Sequence, residues 1–400
     1  MIYDATTRIA ETALRLRALA GNAVWRERLV LDAPPEPAEI WLHAASVGEL
    51  NSARLLTERL AADHRVIVTT NSITGRDLAR ERGLAARLAP FDSPGAVSRF
   101  LDAVRPAVQV TIEGEFWPGR SALLARRGIP QLMAGARISA RSAARWGRVP
   151  GLIGPILSRL VGLSAQDPAS EARLLSLGLP RAALLPRLDL KLLGPAAVVP
   201  QPPSADRDLT FLAASTHEGE DVPALDAYLA ARAAVPGLRL ILAPRHPDRA
   251  DAIAALAAQR GLALARRSQG TDTGDLILAD TLGEMARWYD RAGIVLTGGS
   301  LADRGGHTPW EPAAHGCAIL HGPHVSNFTE AYAALDAAGG AVPVTAASLP
   351  DALTGLALAP DRARGMGAIA RDLLTRDAGD LDPLIARIAA LAQARRNPDI

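Results

Sequence analysis

The chain has 400 residues, 48% of them hydrophobic and 4% aromatic, with one cysteine, Cys317, and a formal net charge of +2. This length predicts two or three domains with sizeable cores. A single cysteine excludes an internal disulfide or a cysteine metal cluster, and so few rings argue against a nucleic-acid platform built on base stacking. No run is long and apolar enough for a transmembrane helix, and no secretory signal with a cleavage site is present.

Residues 1–30 open the chain with Ile2, Ile9, Ala13, Leu16 and Ala20 at helical spacing, interleaved with Arg8, Arg15 and Arg17. The pattern predicts an amphipathic helix that either lies on an anionic membrane or packs on its own protein. Residues 31–193 then alternate short β-rich runs (Ile40–Ala44, Val66–Thr70, Val108–Ile112, Gln131–Met133, Leu160–Leu163) with helical patterns. This is the rhythm of a parallel sheet covered on both faces. Residues 194–208 hold four prolines within nine residues, from Pro195 to Pro203. Proline continues neither a helix interior nor a central strand, so this segment is expected to be the interdomain linker. The rhythm resumes over residues 209–400, with strands expected at Leu209–Ala213, Leu238–Leu242, Leu276–Leu278, Ile294–Thr297 and Ala318–Leu320, and two helical segments at the end. The expected class is α/β, with two halves facing a cleft, a common place for ligands.

In such folds the chemistry gathers where strands end and helices begin. Glu49 sits at the first such turn, after Ser46-Val47-Gly48. A helix N-terminus favours an ionised carboxylate, so Glu49 is expected to be charged at neutral pH and able to accept a proton. The alternative is a charge that only complements the helix dipole. Glu113 and Glu115 close the run at Ile112 and share a face only if the strand continues that far. Thr70 and Ser72 occupy the polar turn after the second strand. Between Gly119 and Pro150 lie Arg120, Arg126, Arg127, Arg137, Arg141, Arg145 and Arg148 with no acid among them, a block that calls for an anionic partner.

In the second half, Arg245 and His246 follow a strand in a way that suits a phosphate or carboxylate. Gly298-Gly299-Ser300 and Gly305-Gly306 flank the approach to Glu311. Glycines let backbone amides approach a phosphate closely, and Glu311 is placed to accept from ribose hydroxyls. The eight histidines show no metal-ligand spacing. The pairs Asp206/Asp208 and Asp380/Asp382 are expected to be solvated charges, so no metal site is predicted. No G-x-S-x-G elbow supports a serine hydrolase.

Several segments together carry a family resemblance. They are His43-Ala44-Ala45-Ser46-Val47-Gly48-Glu49, Thr69-Thr70-Asn71-Ser72-Ile73-Thr74-Gly75, Glu113-Gly114-Glu115-Phe116-Trp117-Pro118, Ala136-Arg137-Ile138-Ser139, Arg245-His246-Pro247, Gly298-Gly299-Ser300, and Gly322-Pro323-His324 with Asn327-Phe328. In this order they resemble the 3-deoxy-D-manno-octulosonic acid (Kdo) transferases of lipopolysaccharide synthesis, over nearly the whole chain after residue 38. The resemblance implies a GT-B glycosyltransferase: two Rossmann-like domains, CMP-Kdo as donor, the acylated, phosphorylated lipid A precursor as acceptor, and no cofactor, metal or nucleic acid. It implies action at the cytoplasmic face of the bacterial inner membrane, as a peripheral protein. Its catalytic base falls on Glu49 and its second carboxylate on Glu115. The donor side falls on Lys191, Arg245, His246, Met285, Gly298, Gly299, Ser300, Glu311 and Asn327. The acceptor side falls on Ser46, Gly48, Thr70, Ser72, Arg120, Arg137 and Ser139. Two motifs depart from the family pattern. Gly-Gly-His-Asn-x-Leu-Glu-Pro reads here with Thr308 for Asn and with Trp310 before Glu311, and of Gly-Asn-x-Lys-x-Asp only Lys191 is kept. A transferase for another CMP-activated keto-acid sugar, a sugar-nucleotide epimerase and a non-catalytic lipid-A-binding paralogue are the competing readings.

Overall fold

A computed structural model describes residues 2–396; Met1 and the side chain of Ile2, both in the expected N-terminal helix, the side chain of Arg396 and residues 397–400 lie outside the described residues. The chain divides into two compact units, Met1–Gly194 with Asp377–Ile400, and Pro195–Arg376.

Unit 1 is built on strands β1 (Ile40–His43), β2 (Val66–Thr70), β3 (Ala85–Leu88), β4 (Val108–Ile112), β5 (Gln131–Ala136) and β6 (Leu160–Ala165). They form one parallel sheet in the order β3-β2-β1-β4-β5-β6. The central strands are buried on both faces and mostly apolar. One face packs Trp41, Ile67, Val97, Phe100, Leu101, Leu124 and Ile129 into a common core, with the Trp41 and Phe100 ring centroids 4.6 Å apart. The chain winds outward in both directions from β1. The carboxyl ends of β1, β2 and β4 therefore flank the point where the winding reverses, which is where open α/β sheets bind ligands.

The N-terminal helix, Ile2–Leu19, packs one face on unit 1. Leu14 and Ala18 join Leu29, Ala96, Trp25 and Phe91, Tyr3 donates to Asp92 at 2.6 Å, and Glu11 accepts from Ser93 and Arg99. Gly95 lies close beneath this acid, since a Cβ would stand 2.6 Å from the Glu11 carboxylate. The opposite face leaves Ile9, Leu16 and Leu19 exposed, at 73%, 68% and 76%.

Unit 2 is built on β7 (Thr210–Thr216), β8 (Arg239–Pro244), β9 (Ala265–Arg266), β10 (Leu276–Leu278), β11 (Ile294–Thr297), β12 (Ala318–His321) and β13 (Ala341–Pro343). All are parallel, in the order β13-β12-β11-β7-β8-β10-β9. Here β7 is the strand from which the winding reverses, and β8 and β11 are its neighbours.

Three features differ from the sequence reading. First, the last helix, Asp382–Arg396, belongs to unit 1 and not to the second half. Arg395 donates to the Gly128 and Arg127 carbonyls, and Arg59 pairs with Asp382 at 2.6 Å. Second, the expected linker is partly helical. Leu190–Ala196 is a short helix that ends one residue after Pro195, and Ala205–Asp208 is a turn of helix capped by Ser204. Third, Asp208 is no solvated charge; it is 9% exposed and ion-paired with Arg364.

Candidate active site

In unit 1 the strand ends bring together Glu49 after β1, Asn71 after β2, and Glu113 and Glu115 after β4. Strand β4 stops at Ile112, and Glu113 takes a left-handed backbone (φ 56°) that turns the chain. Glu113 and Glu115 therefore do not share a strand face. The turn runs so close to the next strand's end that a Cβ on Gly114 would lie 2.5 Å from the Arg137 carbonyl oxygen. Lys191 pairs with Glu113 at 3.0 Å, which puts this donor candidate in unit 1.

Glu115 is held by an ordered hydrogen-bond chain. The indole Nε1 of Trp41 can only donate, and it donates to Thr69 Oγ1 at 2.8 Å. Thr69 Oγ1 lies 2.9 Å from His43 Nδ1, and His43 Nε2 lies 3.2 Å from Glu115 Oε2. Complete burial, reinforced by Arg120, pushes the His43 imidazole down to about 4, so it is neutral at pH 7. A neutral ring facing a carboxylate must present Nε2–H, which leaves Nδ1 to accept from the Thr69 hydroxyl. The same Glu115 oxygen accepts from Trp117 Nε1 at 2.6 Å and Asn71 Nδ2 at 3.0 Å. Burial alone would raise the Glu115 carboxyl; the donors from His43, Trp117 and Asn71 outweigh it and hold the group below the ordinary carboxylate range.

Glu49 has the opposite environment. Burial pushes its carboxyl up to about 7, and the charges of Glu113 and Glu115 add to the effect. This corrects the expectation of full ionisation at neutral pH: the helix that Glu49 opens is only six residues long, and its dipole does not outweigh burial beside two other acids. Glu49 also acts as a cap, accepting from the Ala45 amide while its own amide donates to Ser46 Oγ at 3.2 Å. The two carboxyl groups are thus shifted in opposite directions at one sheet edge, Glu115 down and Glu49 up.

Several acceptor-side candidates have structural duties. Ser46, Ser72 and Ser139 are helix N-caps whose hydroxyls accept from Glu49, Gly75 and Ser142 amides. Thr70 is fully buried and donates to the Ser72 carbonyl. Arg120, expected to meet the acceptor, is only 4% exposed and cannot reach a solvent-borne phosphate. Its guanidinium lies over the Trp41 and Trp117 rings, 5.1 and 5.6 Å from their centroids. Its Nε and Nη1 have no protein acceptor, and the residue lines a small pocket of mixed polarity together with Gln109, Thr111, Glu115, Trp117, Met133 and Ile156 among others. Gly48 and Arg137 are exposed.

In unit 2, Arg245 and His246 are exposed after β8. The Gly-Gly-Ser turn differs most from expectation. The fully buried Glu220 carboxylate accepts from the amides of His217, Gly299, Ser300, Leu301 and Ala302 at 2.7–3.1 Å. The turn is a backbone nest, but its ligand is the protein's own carboxylate, so the amides of Gly299 and Ser300 are not free for a phosphate. Gly298 is required because a Cβ would lie 2.2 Å from the Ser215 carbonyl oxygen. Ser300 is fully buried; its hydroxyl donates to Thr297 O and accepts from Gly322 N. Asn327 clamps the following loop through the Arg304 and Gly306 carbonyls. Met285 packs against the core, and Glu311 is exposed with Tyr289 OH donating to it at 3.2 Å.

The sequence reading missed the role of His43, the Glu220 plug and a histidine cluster at the ends of β7 and β11. His217 and His307 face each other Nε2 to Nε2 at 3.0 Å, and the His246 ring lies 5.9 Å from that of His217. The His-Glu pairing of His43 had a visible signal in its place at the end of a buried strand; the cluster had none, since ninety positions separate His217 from His307. Among the described residues no group of three or more His, Cys, Asp or Glu has metal-holding geometry, and no helix is long and apolar enough to cross a membrane.

The family of 3-deoxy-D-manno-octulosonic-acid transferases (kdotransferases) matches residues 23–193. A 3-deoxy-D-manno-octulosonic acid transferase of Haemophilus influenzae is 32% identical over 370 residues, covering 88% of this chain and 86% of that one. One of Bordetella pertussis is 35% identical over 371 residues, covering 86% and 85%. Among solved structures, UDP-GlcNAc 2-epimerase of Neisseria meningitidis superimposes with a TM-score of 0.54 at 12% identity over 88% of this chain and 99% of that one. MurG of Acinetobacter baumannii does so with a TM-score of 0.50 at 13% identity over 89% and 100%. These two share the fold of paired Rossmann-like sheets. With curated relatives at this identity spanning both units, the chain belongs to the Kdo transferase family of GT-B glycosyltransferases.

Proposed function

We propose that the protein transfers Kdo from CMP-Kdo to the phosphorylated, acylated lipid A precursor, with inversion at the anomeric carbon and with Glu49 as general base. The observation that carries this reading is the split between Glu49, raised to about 7, and Glu115, held ionised a short way along the same sheet edge. An acceptor hydroxyl attacking the anomeric carbon must lose its proton, and a carboxylate near pH 7 is suited to take it. The permanent charge of Glu115 suits the positive character that develops on the sugar as its bond to phosphate stretches. In unit 2, Arg245 has no ion-pair partner among the described residues and suits the departing phosphate.

The acceptor's phosphates have candidate partners in the arginine block. Arg127 is spent on Asp102 and Arg120 is buried, but Arg126, Arg137, Arg141, Arg145 and Arg148 are exposed. The free face of the N-terminal helix, with Ile9, Leu16 and Leu19 beside Arg8 and Arg17, fits an anionic leaflet at the cytoplasmic face of the inner membrane. The test is to incubate the purified protein with CMP-Kdo, generated in situ, and tetra-acylated lipid A precursor, and to read the products by mass spectrometry and the new linkage by NMR. A Kdo adduct of inverted configuration is expected. No adduct where a control enzyme works, or a retained configuration, refutes the reading.

A further inference from the structure

The carboxyl edge of unit 2 holds a direct contact between two histidines. His217 follows β7 and His307 lies in the loop after β11, two strands that are neighbours at the reversal point of the sheet. Their rings are nearly parallel, 12° apart, with centroids at 5.2 Å, and their Nε2 atoms are 3.0 Å apart. At that separation one nitrogen must donate and the other accept, because two lone pairs or two N–H groups would repel. The two imidazoles are therefore a single titrating unit.

The surrounding charge is mostly positive. His217 is lowered by burial and then by His246, Arg304 and Arg249, with the buried Glu220 carboxylate acting in the opposite sense. His307 is lowered by burial and then by His217 and Arg245, again opposed by Glu220. Without an anion the pair is neutral. It holds two protons, one in the bridge and one on an outer Nδ1. Glu220 is already saturated by five backbone amides and cannot turn toward the rings as a counter-ion. A dianion seated among Arg245, His246, Arg304 and the two rings would reverse the local field and favour a third proton.

We propose that His217 and His307 together form a phosphate-receiving unit that takes up one proton when a cytidine nucleotide's phosphate monoester binds. The inference rests on the donor reading above. In the transfer, the bond between the anomeric carbon and the phosphate oxygen breaks and its electron pair stays on the oxygen. The phosphate passes from a monoanionic diester to a dianionic monoester, and the pair takes one proton from solvent to become a monocation. The acceptor hydroxyl's proton goes to Glu49 and from there to solvent, so protons balance over the cycle. The pair thus holds the leaving group more tightly after bond cleavage than before it, which is the direction catalysis requires.

The test is calorimetric titration of the full-length protein with CMP at pH 7.5, in buffers of different ionisation heats. CMP is already a dianion there, so any uptake belongs to the protein. We expect about half a proton or more taken up per CMP bound, as linkage requires of a group raised through the working pH. Cytidine should give no uptake, and inorganic phosphate at the same concentration should give no binding heat. His217→Asn and His307→Asn should each abolish the uptake and weaken CMP about tenfold, the scale of one charge-assisted contact. CMP binding without uptake, uptake that survives both substitutions, or equal uptake with cytidine would overturn the proposal while leaving the donor assignment in place. Absence of CMP binding by the wild-type protein would overturn both.

Discussion

Replacing Glu49 by Gln separates its chemical role from its structural one. Gln keeps an oxygen for the Ala45 amide, so the helix start is preserved. What is lost is a carboxyl whose ordinary value of 4.5 is raised to about 7 by burial and by its acidic neighbours. A rise of that size corresponds to at most about 3 kcal/mol against ionisation within the fold, and the side chain's partial exposure reduces it to about 1–2 kcal/mol. The folded pKa lies above the unfolded one, so the wild-type protein loses this stability as pH rises from about 4.5 through about 7. Glu49→Gln never ionises. It should therefore be more stable than wild type by about 1–2 kcal/mol at pH 8 and no more stable at pH 4, read by urea unfolding at both. Its kcat should fall by roughly 10²–10⁴, the usual contribution of a general base. Wild-type kcat/KM should drop about tenfold per pH unit below pH 6 and level off above pH 8, and the variant's residual rate should be flat over that range. A variant that keeps the wild-type acid limb, or whose stability gain is equal at pH 4 and pH 8, would refute the reasoning.

Thr69→Val removes the hydroxyl that links Trp41 to His43 and leaves two buried polar nitrogens without a partner, at a cost of about 1–3 kcal/mol in urea unfolding; an unchanged midpoint would mean the chain of bonds is not formed. Glu220→Gln can satisfy only one of the two amide groups now shared between its oxygens, so hydrogen exchange at Gly299–Ala302 should accelerate, with a loss on the order of 2–3 kcal/mol. Wild-type protection there in the variant would count against the plug. Replacing Ile9, Leu16 and Leu19 together by Glu should abolish pelleting with phosphatidylglycerol vesicles without moving the unfolding midpoint, because all three side chains are solvent-facing. Undiminished pelleting would remove the helix from the membrane reading.

The strands that could be read from sequence are those with both faces covered. Val66–Val68, Leu276–Leu278 and Ile294–Leu296 are continuous apolar runs for that reason, and Val108–Ile112 is buried throughout although it carries Gln109 and Thr111. The strands that escaped are β3, β9 and β13, all at sheet edges and with exposed or half-buried positions, where nothing demands an apolar run. The N-terminal helix itself was legible, but the face that packs on unit 1 carries Leu14 and Ala18, while Ile9, Ala13, Leu16 and Ala20 of the sequence pattern stay exposed. The last helix had no such signal, because a helical pattern records that a face is buried but not what buries it.

By itself the sequence determined the α/β alternation, the carboxylates and cations at the strand ends, and the order of motifs that marks the family, since all of these follow from local spacing and residue type. Only the tertiary structure decided their charge states and partners. Glu49 and Glu115 are both glutamates in short turns, yet burial raises one while three donors, two of them from β1 and the turn after β2, lower the other. The Gly-Gly-Ser turn reads as a phosphate cradle until Glu220, some eighty positions earlier, fills it. Arg120 reads as a surface cation until Trp41 and Trp117 enclose it. A residue's chemistry depends on desolvation and on the charges within a few ångströms, and those neighbours come from sequence positions that only the fold brings together.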